Sequence, residues 1–308
     1  MGGEVLHRCI GLTVPGGILT FVFGIFSGGL LISLFSMWLG KIKKIKFYEK
    51  LSIQMLRMSF FSFVVFLILD VSFIYSLIYV FKLELQFEQI KELFLQNLFI
   101  QIDVSLIGGA IFLLIILYLL KNSLKKYSGV FILILTIINI LLWTGIYASV
   151  TFKFYYFKSN ALNFNLEINN LLIPKDIHPV LIFWSYLFMA IGTASLYGTF
   201  YLMIRRNKDD FGRDYYKFSI PACARWSYGL IFFLIILIVK DFLVFGDFKQ
   251  FPLMVWEILG GISLVVLLCL ILNQRLIKSD HPIRLKEIML INPILGIIIS
   301  LLFVVSAS

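Results

Sequence analysis

The chain has 308 residues, of which 60% are hydrophobic and 14% charged, and its mean hydropathy is +0.97. Soluble domains carry roughly 25% charged residues, so a soluble globular fold, a disordered chain and a small disulfide scaffold are excluded. The 27 Lys and Arg exceed the 17 Asp and Glu by ten, and in so apolar a chain that surplus reports membrane orientation and implies no nucleic-acid partner.

A hydrocarbon core of about 30 Å needs roughly 20 apolar residues as helix, because every backbone polar group there must be paired internally. Eight stretches qualify, at approximately 11–39, 58–81, 98–120, 128–152, 179–204, 219–246, 253–273 and 288–306. They predict one all-α integral membrane domain over 1–308 with eight transmembrane helices. The first is too long for a signal-peptide core, lacks a basic leader and is followed by a lysine cluster, so it reads as a span. With KIKKIKFYEK (41–50) placed inside and the faces alternated, nineteen of the Lys and Arg fall on the inner side and eight on the outer. Both termini are then outside. So are the connection 82–97, which reads as an amphipathic interfacial helix, and the outer loop 153–178, rich in Asn and aromatics, which reads as an ordered cap.

A shift of 168 residues superimposes Gly24 on Gly192, Ser27 on Ser195, Tyr48 on Tyr216, Arg57 on Arg225 and Ser59 on Ser227 without a gap. Four spans return the chain to its starting side, so the halves 11–152 and 179–306 would be parallel repeats. The third spans rhyme as well: Asp103 precedes Gly108 and Gly109, and Glu257 precedes Gly260 and Gly261. Each pattern reads as an acid at the outer end above a close-packing glycine pair.

The residue most at odds with its surroundings is Asp70, near the centre of the second span in FVVFLILDVSFIY. A charge there costs at least ~2.5–3.5 kcal/mol, so the group faces the bundle interior, is protonated or is paired. It is either a proton-relay or quinone-bonding carboxyl, or a neutral acid bonded to a Ser, a Tyr or Asn139. Asp103 and Glu257 complete the candidate catalytic set at the outer end. Arg57 and Arg225 begin spans on the inner side, as anchors for lipid phosphate or as contacts for an anionic ligand or quinone head group. Lys240 and Asp241, adjacent at an outer helix end, read as solvated. Gly24, Gly28 and Gly29 give span one a small-residue seam for helix packing. No metal site is expected: Cys9, Cys223 and Cys269 form no CxxC pair. His7, His178 and His281 all lie outside span interiors, so covalent haem has no attachment motif and b-type haem is not expected.

The chain resembles membrane proteins related to cytochrome bd-type quinol oxidase subunit I. The residues that carry the likeness are GGLLISLFSMWL and FYEKLSIQMLRMSFFSF in spans one and two, and LLIILYLLKNSLKKYSGVFILILTIINILLWTGIYASVTF across spans three and four. A further segment runs from NNLLIPKDIHPVLIFWSYLFMAIGTASLYGTFYL to the ARW of 224–226. The family's haem-ligating histidines in spans one and five are missing, with Ser185 and Tyr186 where the second would fall, and its span-three glutamates are reduced to Gln101 and Asp103. In GIFSGGLLISL and in Asp70 at LILDVS the chain is also similar to NrfD-like polysulfide-reductase membrane subunits, which bind quinol without haem. Both resemblances imply a haem-poor, quinone-binding and proton-conducting subunit of a respiratory complex in a prokaryotic plasma membrane. It would not act alone: cytochrome or iron–sulfur subunits would carry the electrons, and membrane lipid would surround it. A transporter or channel, or a scaffold subunit without chemistry, are the competing expectations.

Overall fold

A computed structural model of the chain describes residues 2–81, 98–119, 129–142, 178–209, 211–245 and 253–307. The described residues are helical, with short turns and no strand. The helices are α1 (Gly2–Lys43), α2 (Lys46–Phe81), α3 (Leu98–Leu119), α4 (Gly129–Leu142), α5 (His178–Arg205), α6 (Arg213–Ala224), α7 (Gly229–Phe245), α8 (Leu253–Lys278) and α9 (Lys286–Ala307). Short 3₁₀ turns at Arg225–Tyr228 and Pro282–Arg284 precede α7 and α9. Six segments are long and apolar enough to cross a membrane: Gly16–Lys43, Lys46–Leu69, Phe183–Arg205, Arg213–Leu243, Leu253–Lys278 and Lys286–Val305. The chain is thus built as an all-α multi-pass membrane protein. The expected spans at 98–120 and 128–152 correspond to α3 and α4, the latter described for 14 residues. The expected interfacial helix at 82–97 and cap at 153–178 lie outside the described residues, apart from His178.

Hydropathy alone underestimates helix length. The 42 residues of α1 and 36 of α2 would extend about 63 and 54 Å at 1.5 Å per residue, well beyond a 30 Å core. Backbone hydrogen bonding continues through Lys41 and Lys43, whose long side chains reach water while their stems stay on the helix. The reversal into α2 therefore shrinks to Lys44 and Ile45, and Lys44 adopts φ 57°, a left-handed conformation that ends α1. The second helix returns antiparallel along the first. Ser33 Oγ donates to the Ser52 carbonyl at 2.7 Å, and the rings of Phe26 and Phe63 lie 4.9 Å apart.

At the centre of the bundle α1 crosses α5, with α2 and α9 also against α1 and α7 against α5. The expected glycine seam is the reason the crossing is possible. A Cβ on Gly28 would collide with the backbone of Ala190 and Ile191, and one on Gly24 would stand 2.7 Å from Thr193 Oγ1. Gly29 looks the other way, toward Ser59 and Met58 of α2. The pairs expected beneath Asp103 and Glu257 behave differently: Gly108, Gly109 and Gly260 have no heavy atom within 4 Å of a built Cβ, and Gly261 meets only Leu302 at 3.8 Å. Among the described residues these glycines therefore do not close-pack: Gly108, Gly109 and Gly260 meet nothing, and Gly261 makes only an ordinary van der Waals contact.

The sixth expected span is one almost continuous rod, from Arg213 through α6 and the 3₁₀ turn into α7. Its interruption has an identifiable cause. Ser195 Oγ from α5 donates to the Cys223 carbonyl at 2.7 Å, occupying an acceptor of the helical ladder where Pro221 has already removed a donor. The next turn tightens to 3₁₀, held by Ser227 Oγ on the Ala224 carbonyl. In the other half Ser27, which the 168-residue shift pairs with Ser195, bonds within its own helix to Phe23.

The connections rich in cations meet at one end. Lys50 Nζ lies 5.0 Å from the Phe211 ring, Tyr48 packs edge-on against Phe218 at 4.8 Å, and Arg213 Nη2 stands 3.5 Å from His281 Nδ1. A Cβ on Gly129 would sit 3.7 Å from Lys41, so α4 starts there too. We call this the basic end. Gly28→Ala should lower stability in detergent by about 1–3 kcal/mol, because the α1–α5 backbone contact has no room for a methyl group. Gly260→Ala, facing open space, should leave it unchanged or slightly raised. Thermal unfolding that ranks the two alike would contradict the crossing described here.

Candidate functional site

Among the described residues the most connected polar cluster sits at the basic end, where the segment after α5 folds back over α2. The chain there reads RRNKDDFGRDYYK (205–217), and Asp209 turns inward among the cations. Its carboxylate receives a two-point contact from Arg205, Nε to Oδ2 at 3.1 Å and Nη2 to Oδ1 at 3.0 Å, aided by the turn that returns the Asp209 N–H to the Arg205 carbonyl. Gln54 Nε2 donates to Oδ2 at 2.9 Å and Arg57 Nη1 approaches Oδ1 at 3.8 Å, both from α2. Tyr215 donates a short hydrogen bond to Gln54 Oε1, and Tyr216 reaches the Asp209 carbonyl at 3.5 Å. The Asp209 side chain is 10% exposed. Above it Lys50 stands over the rings of Phe211, Phe47 and Tyr215, each contact contributing about 0.5–1 kcal/mol.

Two cations around one carboxylate leave the cluster positive, and one amide lies between the tyrosine hydroxyl and the acid. An amide does not readily accept and release a proton, so Tyr215–Gln54–Asp209 is a poor proton wire and a good clasp. It joins α2, α5 and α6 by charge-assisted hydrogen bonds.

Two further polar groupings lie within the spans. Thr199, Asn273 and Asn292, all with no exposure, join α5, α8 and α9: Asn292 Nδ2 donates to Thr199 Oγ1 at 2.9 Å and to Asn273 Oδ1 at 3.2 Å. Asn273 also bonds the Cys269 carbonyl at 2.8 Å. In the far half of α7 Lys240 and Asp241 are each only 7% exposed, with Nζ and Oδ1 3.1 Å apart. This corrects the expectation of a solvated pair: both side chains turn into the protein, where a separated charge would be costly and adjacent opposite charges neutralise one another.

The residues singled out from sequence are dispersed. Asp70 lies in α2 and Asp103 in α3, with side chains outside the described residues. Glu257 is exposed near the start of α8, at the end remote from Lys278. Arg57 is half-buried and engaged with Asp209, while Arg225 is exposed at the start of its 3₁₀ turn. Asn139 of α4 is 1% exposed, and its Nδ2 has no hydrogen-bond partner among the described residues. No hydrogen bond or ion pair among the described residues joins any two of these six. Sequence reading missed Asp209, Gln54 and the asparagine pair. Two acids inside a run of cations, and amides inside apolar runs at Asn273 and Asn292, were the available signals.

No protein-family model, curated protein or solved structure matches the chain. Asp209→Ala should destabilise the folded chain by about 1.5–3 kcal/mol, the range for hydrogen bonds to charged groups. In double-mutant cycles Arg205 should couple to Asp209 more strongly than Arg57 does. Equal coupling for the two arginines would contradict the two-point geometry.

Proposed function

We propose that the chain is a haem-poor integral subunit of a respiratory electron-transfer complex in a prokaryotic plasma membrane, crossing it eight times with both termini outside. It binds a quinone among its helices and passes protons at Asp70, while a cytochrome or iron–sulfur partner carries the electrons. The observation that carries this reading is Asn139, a buried amide donor without an acceptor among the described residues. An unpaired donor inside a membrane span costs free energy unless an acceptor arrives, and a quinone carbonyl is an acceptor of the right kind. Asp70 adds the proton-handling group. It stands seven and four residues after Phe63 and Phe66 on α2, both of which belong to that helix's packed face. The two family resemblances point the same way. Arg57 is committed to Asp209, so Asn139 is the better head-group contact and Arg57 the less suitable one. Asp103 and Glu257 would serve the outer mouth.

A transporter is the second reading, favoured by the buried Lys240–Asp241 pair and by the polar groups converging from α5, α8 and α9. Ionisable residues within spans often mark ion pathways. Copurification separates the two, since a respiratory subunit brings a cytochrome or iron–sulfur protein with it.

In the purified complex Asn139→Leu should raise KM for quinol about tenfold, the worth of one hydrogen bond, while stability rises because a buried donor with no partner among the described residues is gone. A rise in stability with KM unchanged would leave Asn139 without a ligand role. Asp70→Asn should lower quinol oxidation and proton release together. Full activity in that variant would remove Asp70 from the mechanism, and a stoichiometric b-type haem spectrum of the isolated subunit would overturn the haem-poor assignment.

A further inference from the structure

Between the 3₁₀ turn before α7 and the last turns of α8 lies an open groove of about 700 Å³. Its mouth carries Arg275 and Lys278, both exposed and without an ion pair among the described residues, and no acid lines it. One turn back along α8, Tyr228 donates to Gln274 Oε1 at 2.6 Å, and the Gln274 amide nitrogen, with no hydrogen bond among the described residues, can donate to a ligand. Further along α8 from the basic end the lining is Leu270 and Ile271. Four and seven residues before Ile271 on the same helix face come Leu267 and Leu264, 59% and 67% exposed, which continue the apolar strip away from the basic end.

The order along the groove is therefore cation pair, neutral hydrogen-bonding pair, apolar track. That is the order of an anionic glycerophospholipid read from phosphate through ester to acyl chain. We propose that the groove is a binding site for one anionic phospholipid, its phosphate between Arg275 and Lys278, its ester region at Tyr228 and Gln274, and an acyl chain along Ile271, Leu267 and Leu264. Two cations with no counter-charge favour a net negative lipid over a zwitterionic one. The open side suits an occupant arriving laterally from a bilayer. A small soluble anion would use the mouth and leave the apolar track empty. The proposal rests on the membrane reading of the chain and owes nothing to quinone, so failure of the Asn139 and Asp70 experiments leaves it standing.

The test uses the full chain in nanodiscs of phosphatidylcholine with or without phosphatidylglycerol, read by native mass spectrometry of retained lipid and by thermal unfolding. Arg275→Gln with Lys278→Gln is compared with Lys44→Gln with Lys46→Gln, two exposed cations at the same end. We expect phosphatidylglycerol to bind the groove variant about thirtyfold more weakly than the parent, from about 1 kcal/mol per cation near the surface. The control variant should retain parental affinity, and inorganic phosphate alone should stabilise neither. Equal affinity in the parent and the groove variant would overturn the proposal, and so would equal losses in both variants, which would mean diffuse surface charge. Stabilisation by phosphate alone would reassign the mouth to a soluble anion. No preference for phosphatidylglycerol in any chain would leave the groove to a protein neighbour and end the lipid assignment.

Discussion

The arrangement of this bundle depends on one close approach, the backbone of α1 at Gly28 lying directly against the carbonyl of Ala190. In a bilayer the hydrophobic effect does not drive helix against helix, because lipid tails are as apolar as leucine; contact distance and hydrogen bonding decide the packing instead. Removing side chains from Gly24 and Gly28 lets α1 and α5 meet over their main chains. Around that crossing α2 and α9 pack against α1, and α7 packs against α5 in turn. Gly192 extends the logic one helix further, leaving room for Leu230 at the start of α7.

Polar contacts then fix what close packing leaves adjustable. Most of those described between elements fall toward the basic end: Ser33 on Ser52, Ser195 on Cys223, Asn292 on Thr199, and the Asp209 clasp. A hydrogen bond between spans adds about 0.6 kcal/mol on average, since helices apart in the membrane also find partners. These contacts therefore set register and orientation more than they set total stability. Among the described residues of the opposite half, helices meet through aromatic rings, as where Phe23 stacks on Tyr186 at 5.6 Å and Phe233 meets Phe303 edge-on at 5.8 Å.

What could be read from the chain follows which properties are local. Long apolar runs announce themselves, so the six spans and the helical class were legible. The glycine seam was legible in part: Gly24 and Gly28 share the face that meets α5, whereas Gly29, read as part of the same seam, serves the contact with α2. Helix ends were misjudged because hydropathy stops at the first lysines while the hydrogen-bond ladder does not. Asp209 was hidden for a different reason. Its partners Gln54 and Arg57 are about 150 residues away in sequence, and nothing in RRNKDDFGRDYYK says which acid turns inward. The glycines near Glu257 and Asp103 are the converse case: a small-residue pair indicates that a close neighbour could fit, and among the described residues nothing comes nearer than Leu302 to Gly261.

The pairing of Lys240 with Asp241 has a consequence for how α7 enters the membrane. Each charge alone would cost several kcal/mol at depth on the scale that governs partitioning from the insertion channel into lipid. Because the two are consecutive and their charged atoms lie 3.1 Å apart, the segment can leave the channel as a formally neutral helix without needing a charge partner from another helix. The partner is supplied by the chain itself at the moment of synthesis. A substitution of either residue would thus act first on biogenesis, on whether α7 is recognised as a span at all, and only later on the folded protein.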